Sequence, residues 1–312
     1  MVLLKITDLR VYFKSPNGLV KAADGVDLEL HPGEILGLVG ETGSGKTVLG
    51  LAITRLLPKT AAISGEVLYR GQNLLALSEE EMRKVRGREV TMIFQNPLSS
   101  LNPTLTIGEQ IAEVLREHRG LKGKEAWQRA GELLELTGIP AKWVRSYPHE
   151  LSGGMRQRAM IAIGLACAPS LLIADEPTRG LDVTIQAQIV ELLHAVTKGV
   201  SPPRSMLLIT HDLGVAAALT DHLAVMYAGK IVEYGRTGEV FRNPRHPYTR
   251  ALLDSHPSNG LIAAKGFSPS LINLPSGCSF HPRCKKACKK CAHESPLVQR
   301  IGMDHGVRCF YA

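Results

Sequence analysis

The stretch Gly40-Glu41-Thr42-Gly43-Ser44-Gly45-Lys46-Thr47 constrains this chain more than any other. It has the form G-x4-G-K-[ST]. A short apolar run, Glu34 to Val39, precedes it, and a segment of helical character follows. Glycines there let backbone N–H groups curl around the β- and γ-phosphates of a nucleotide. Lys46 adds a point charge to the same oxygens, and Thr47 offers a hydroxyl to Mg²⁺. Gly40, Glu41, Thr42, Gly43, Ser44, Gly45 and Val48 complete the candidate cradle. The apolar run suits a covered parallel sheet, so an α/β fold is expected. The helix is expected to run to about Leu57 and stop before Pro58.

A second segment carries acids. Leu171 to Ala174 reads as a buried strand, with Asp175 and Glu176 at its carboxyl end, where open α/β sheets place their ligands. Asp175 suits a Walker B role, orienting Mg²⁺ through its water shell. Glu176 suits the general base that polarises an attacking water. A third strand, Ser205–Thr210, runs into His211, which is suited to holding a γ-phosphate and water in line. A fourth, Thr91–Phe94, runs into Gln95, whose neutral amide can bind Mg²⁺ weakly and release it.

Composition bounds the setting. The chain has 312 residues, 44% hydrophobic and 21% charged, as in soluble globular proteins. The longest uncharged run, Ala159 to Ala174, is interrupted by Pro169 and falls short of the ~20 residues a membrane-spanning helix needs. It reads as a buried helix, a break and a buried strand. The start of the chain lacks the pattern of a secretory signal, so a cytoplasmic protein is expected, and any membrane crossing would fall to other chains. Net charge is +8, with seven Lys/Arg against two acids between Cys278 and Ala312. Such a tail can meet nucleic acid or anionic lipid, or be a solvated face.

Ser152-Gly153-Gly154, ahead of a helix expected over Met155 to Ala168, forms a second anion cradle of backbone N–H groups, a hydroxyl and a helix N-terminus. That helix would span ~20 Å. Its start therefore lies away from the pocket its end leads to, and it is placed to meet a nucleotide on a second, similar chain.

Gly40–Thr47, Gln95, Leu151–Met155, Asp175–Glu176, Gly180–Asp182 and His211, in this order, resemble the ATP-binding subunits of ABC transporters over residues 1 to about 240. The resemblance implies a P-loop NTPase: a RecA-like core with an antiparallel β subdomain and a helical signature subdomain. It implies that the signature of one subunit closes over ATP on another. Met155 stands where glutamine is usual, and Asp182 is the D-loop acid. Tyr12 or Phe13 falls where the family stacks an aromatic on adenine; a core aromatic is the other reading. The implied parts are a core over 1–94 and 152–240, a helical subdomain over 95–151 and an extension over 241–312. The helical subdomain would dock on permease subunits, with Gln95 reporting γ-phosphate occupancy.

Asn243–Leu253 and Gly277–Cys284 resemble the C-terminal extension of ATPases serving dipeptide, oligopeptide and nickel importers. The implied function is ATP hydrolysis driving peptide import from the cytoplasmic face, with nickel or another solute as the alternative. Implied partners are a second ATPase subunit, forming a heterodimer, two transmembrane permease subunits and, indirectly, an extracytoplasmic peptide-binding protein. Five of the six cysteines lie in this extension. Clustering of that kind argues for metal before disulfides. Cys278, Cys284, Cys291 and Cys309 match the four-cysteine pattern of the extension, whose members include carriers of a [4Fe–4S] cluster; Zn²⁺ is the alternative, and Cys288 is the surplus thiol. A soluble ABC-type ATPase acting on nucleic acid is the competing class. One cassette, and a tail without interleaved aromatics, argue against it.

Overall fold

In a computed structural model, residues 2–256, 266–302 and 304–312 are described. The chain divides into two compact units, Met1–Ala76 with Leu208–Ala312, and Leu77–Leu207.

The first unit opens with β1 (Leu4–Ser15) and β2 (Gly18–Leu30), then β3 (Ile35–Val39), α1 (Lys46–Ile53), β4 (Ala61–Tyr69) and β5 (Gln72–Asn73). A four-stranded antiparallel sheet has the order β2-β1-β4-β5. In β1 the buried apolar residues are Leu4, Ile6, Leu9 and Val11, which slip by one residue between Ile6 and Leu9. The register shifts there, with Asp8 at φ 44, and this bulge returns all four to one face. By contrast β3 is buried throughout. The helix α1 ends at Ile53 rather than Leu57: Thr54 Oγ1 bonds back to Gly50 O at 3.0 Å, and Arg55 turns to φ 52.

The second unit holds α2 (Glu79–Val85), β6 (Val90–Ile93), α3 (Pro97–Ser100), α4 (Ile107–Arg119), α5 (Gly123–Leu136), α6 (Gly153–Leu165), β7 (Leu171–Asp175) and α7 (Val183–Lys198). β6 and β7 are parallel and wholly buried. The expected strand ends one residue early, at Ile93, so Phe94 and Gln95 follow it. Polar residues start the helices: Thr106, Ser152 and Asp182 each cap an N-terminus through a side-chain oxygen. Gly108 admits close packing, since a Cβ there would lie 2.4 Å from Val144 Cγ2 and 2.7 Å from Trp127. The uncharged run breaks ahead of its proline: α6 ends at Leu165, Ala168 turns to φ 50 and β7 follows Pro169.

The boundary between the units falls within β8 (Ser205–Thr210), buried along its length. The first unit then resumes with α8 (Leu213–Leu219), β9 (His222–Tyr227), β10 (Lys230–Arg236), α9 (Thr237–Arg242), α10 (Pro247–Asp254), α11 (Lys289–His293), β11 (Gln299–Arg300) and β12 (Gly306–Val307). β3 lies parallel to β9, and β10, β12 and β11 continue that sheet antiparallel. One core cluster joins Val39 of β3 to Tyr227, Tyr248 and Phe280. Their three rings meet at centroid distances of 4.4, 5.2 and 5.4 Å. Lys21 N also donates to Leu271 O at 2.9 Å. Val240, Tyr248, Leu253 and Phe280, which follow β10, are thus built into this unit's core.

Candidate functional site

The loop between β3 and α1 has the shape of an anion cradle. Gly40, Gly43 and Gly45 have φ of 156°, 82° and 107°. A Cβ at Gly40 would stand 2.1 Å from Met226 O, and one at Gly45 2.0 Å from Ala22 O. Both obstacles are backbone, so only glycine fits at either position. Lys46 Nζ donates to Gly40 O at 2.7 Å and to Glu41 O at 3.0 Å, which lays the ammonium across the loop. Ser44 N donates to Glu41 O at 3.2 Å, and Gly229 N to Ser44 O at 3.0 Å. The Ser44 hydroxyl is buried, with no hydrogen-bond partner among the described residues. Such a group is costly unless a ligand satisfies it. Thr42, Gly43 and Thr47 are exposed, while Val48 is half-buried.

Two residues that the sequence did not single out hold this loop. Glu41 N–H donates to Tyr248 Oη at 2.9 Å. The Glu41 carboxylate accepts two bonds from Arg283, Nη1 to Oε2 and Nη2 to Oε1, each 3.0 Å. The Ser268 hydroxyl also donates to it. Burial by itself would raise the Glu41 carboxyl, but the bonds from Arg283 and Ser268 outweigh it and hold the group below the ordinary carboxylate range. Both residues lie inside the phrases Asn243–Leu253 and Gly277–Cys284, which the sequence marked without giving their task.

Of the two aromatic candidates on β1, Tyr12 donates its hydroxyl to Asp24 Oδ1 at 2.5 Å, and Asp24 also faces Lys230 at 3.3 Å. Phe13 is half-buried. His211 is exposed at the end of β8, just ahead of the α8 cap at Asp212.

The second unit presents its own group. Asp175 and Glu176 are 2% and 7% exposed at the end of β7. Glu176 has φ 48, a left-handed conformation that costs a non-glycine residue ~1–3 kcal/mol. The backbone thus aims this carboxylate at the expense of local strain. Ser152 Oγ accepts from Met155 N at 3.3 Å, placing Gly153 and Gly154 in the first turn of α6. Asp182 Oδ1 accepts from Ile185 N at 3.0 Å. The two helix starts abut: a Cβ at Gly154 would lie 2.8 Å from Ile185 Cγ2. Gln95 and Gly153 line one cleft of about 500 Å³ with Arg156, Gln157 and Arg179. Gln157 Nε2 is buried there without a hydrogen-bond partner among the described residues.

The expected metal centre is not assembled. Among the described residues no group of three or more His, Cys, Asp or Glu side chains is gathered closely enough to hold a metal ion. All six cysteines are free. The four expected ligands nevertheless feel one another. Burial raises the Cys278 thiol, and Cys291, Cys309 and Cys284 push it the same way. Cys278 N donates to Cys291 O at 2.8 Å, while Lys286 N and Tyr311 N point at Cys284 Sγ and Cys309 Sγ, each at 3.4 Å. Cys288 lies 3.5 Å from Cys291, sulfur to sulfur, and bonding with Tyr311 and Cys291 brings it down to about 7. The donor chemistry suits soft metal, but the spacing does not suit a single ion such as Zn²⁺. The basic residues nearby have other tasks as well: Lys290 lies over the Phe310 ring at 4.7 Å, and Arg308 Nε donates to Ile231 O at 3.2 Å.

Residues 23–179 match the ABC transporter family, and residues 232–291 match the oligopeptide/dipeptide transporter C-terminal region. The oligopeptide transport ATP-binding protein OppD of Bacillus subtilis is 49% identical over 98% of this chain and 88% of its own length. OppD of Salmonella typhimurium is 45% identical over 95% and 90%. The dimeric structure of the ATP-binding cassette MJ0796, in a post-hydrolysis state bound to ADP and Pi, covers 75% of this chain and 98% of its own, with a TM-score of 0.68 at 28% identity. Among the described residues no helix is long and apolar enough to cross a membrane. With a glycine cradle at the end of a buried strand, acids at the end of another and both family regions matched, the chain belongs to the ABC transporter family, in the branch that carries the oligopeptide/dipeptide transporter C-terminal region.

Proposed function

We propose that this protein is the ATP-hydrolysing subunit of a peptide importer, and that it energises passage of dipeptides or oligopeptides through membrane-spanning permease subunits. The observation that carries the reading is the cradle Gly40–Thr47, closed by backbone to any residue but glycine at positions 40 and 45, in a chain whose later residues match the peptide-transporter region.

The roles follow from chemistry. Backbone N–H groups of residues 40–48 and the Lys46 ammonium bind the β- and γ-phosphates. Phe13 or its neighbour Tyr12 stacks on adenine. Thr47 and Gln95 supply oxygen donors for Mg²⁺, which when bound would offset phosphate charge, and Asp175 orients it through its water shell. Glu176 accepts a proton from the attacking water, and His211 holds that water and the γ-phosphate in line. Ser152, Gly153, Gly154 and Asp182 serve the nucleotide of a second subunit, through free N–H groups at the start of α6. Residues 1–94 and 152–240 act as the nucleotide-binding core, residues 95–151 dock on the permease, and residues 241–312 form the extension. The partner ATPase is a different chain, and a peptide-binding protein delivers the solute. The assembly sits at the cytoplasmic face of the membrane.

Glu176→Gln tests this reading. It is expected to lower phosphate release by ~10²–10⁴ while ATP still binds and still pairs subunits. Undiminished phosphate release from this variant overturns it.

The extension holds a [4Fe–4S] cluster on Cys278, Cys284, Cys291 and Cys309. What supports this is the four-cysteine set in the extension, with N–H groups aimed at the sulfurs of Cys284 and Cys309. A cluster gives each thiolate a separate iron, so the sulfurs need not converge on one point. Protein purified without oxygen is expected to be brown, with a broad band near ~400 nm and acid-labile sulfide. Colourless protein without iron refutes the cluster.

A further inference from the structure

Glu41 is gripped from both ends by residues of the C-terminal extension. Its N–H is bound by Tyr248, which is fully buried. Its carboxylate is forked by Arg283, a two-bond geometry that only a guanidinium provides. Arg283 is itself fixed. Its side chain is 8% exposed, Nη1 donates to Tyr227 Oη at 3.3 Å, and the guanidinium sits 5.8 Å from the centroids of both Tyr227 and Phe280. Glu41 in turn presents the carbonyl that receives Lys46 Nζ and Ser44 N. A continuous path therefore runs from the aromatic core, through Arg283 and Glu41, to the lysine and the turn that face the phosphates. Arg283 also offsets a carboxylate that would otherwise repel a triphosphate at the mouth of the loop.

We propose that Arg283 is a positioning residue for ATP: by holding Glu41 it fixes the phosphate loop, so that the C-terminal extension sets the affinity of this chain for nucleotide. The inference rests on the reading of residues 40–47 as an ATP cradle. Arg283 touches no reacting atom, so its effect falls on ground-state binding. It is adjacent to Cys284, and any change in the backbone there reaches the loop through a single side chain.

The experiment uses the full chain and MgATP. Arg283→Gln is expected to weaken ATP binding, and to raise KM, about tenfold, the size of one charge-assisted contact. The kcat is expected to stay within about twofold, because the contact is the same in ground and transition states. Arg283→Lys is expected to recover less than half of the loss, since an ammonium cannot fork a carboxylate. Glu41→Gln breaks the bridge from the other side. If Arg283 acts through Glu41, the double variant binds ATP no more weakly than Arg283→Gln alone. Should Arg283→Gln fail to fold, Glu41→Gln carries the same test, with the melting temperature of the nucleotide-free protein as the check. Unchanged ATP affinity in either single variant, additive losses in the double variant, or a loss in kcat with KM unchanged overturns the proposal. Lys46→Ala separates the two readings. If it too leaves ATP binding intact, the cradle itself is misread; if it abolishes binding while Arg283→Gln does nothing, only the role of Arg283 falls.

Discussion

His246 shows how much one buried group can decide. It is 1% exposed. Its Nδ1 accepts from Tyr248 N at 3.0 Å, starting the helix that carries Tyr248 to Glu41 of the glycine loop. Its own N–H donates to Glu233 Oε2 at 2.9 Å, and Glu233 Oε1 meets Arg245 N and His305 Nε2, each at 2.8 Å. Burial pushes His246 down to about 3, against a backbone hydrogen bond at Arg308 that pulls it up. Unfolded, the imidazole titrates near ~6.5. Between those values the unfolded chain binds a proton that the folded chain refuses, so stability rises with pH across that window. Lowering the pH from 7 to 5 is expected to remove about 2 kcal/mol through this group. His246→Asn, which offers an acceptor where Nδ1 lies and no titration, is expected to flatten that part of the slope in urea unfolding at the two pH values. An unaltered slope would show that other groups carry the pH dependence.

At the scale of elements, the readable parts are those whose local pattern has one meaning. β3, β7 and β8 are uninterrupted apolar runs that stay buried. α4 and α5 bury the spaced residues Ile107, Ile111, Leu115, Ala126, Ala130 and Leu134. The serine before two glycines is the N-cap of α6, which begins two residues before the expected Met155. Element ends were less legible, because competing local bonds set them: Thr54 and Arg55 stop α1 at Ile53, four residues before the end expected at Leu57. The bulge in β1 was also silent, because a slip in alternation has a meaning only once a partner strand fixes the register. Glu176 was named for its charge, whereas its left-handed backbone belongs to the turn after β7.

At the scale of the whole molecule, Tyr248, Leu253 and Phe280 of the extension are part of one unit's core, and this leads to a further expectation. Phe280 is 2% exposed and packs edge-on to Tyr227 and Tyr248. Phe280→Ala removes a large buried ring and is expected to cost ~3–5 kcal/mol in chemical unfolding of the full chain. A cost below about 1 kcal/mol, ordinary for a surface site, would show that the extension is only appended. By itself the sequence determined the cradle, the buried strands, the acids that end one of them and the capped helix after Ser152. Those are local: spacing along the chain fixes which atoms can meet. Only the tertiary structure decided that Arg283 forks Glu41 from 242 positions away, that Tyr248 caps the same residue and that four cysteines approach without closing on one ion. Contacts of that span depend on how strands and loops return to the core, and no periodicity in the chain encodes the return.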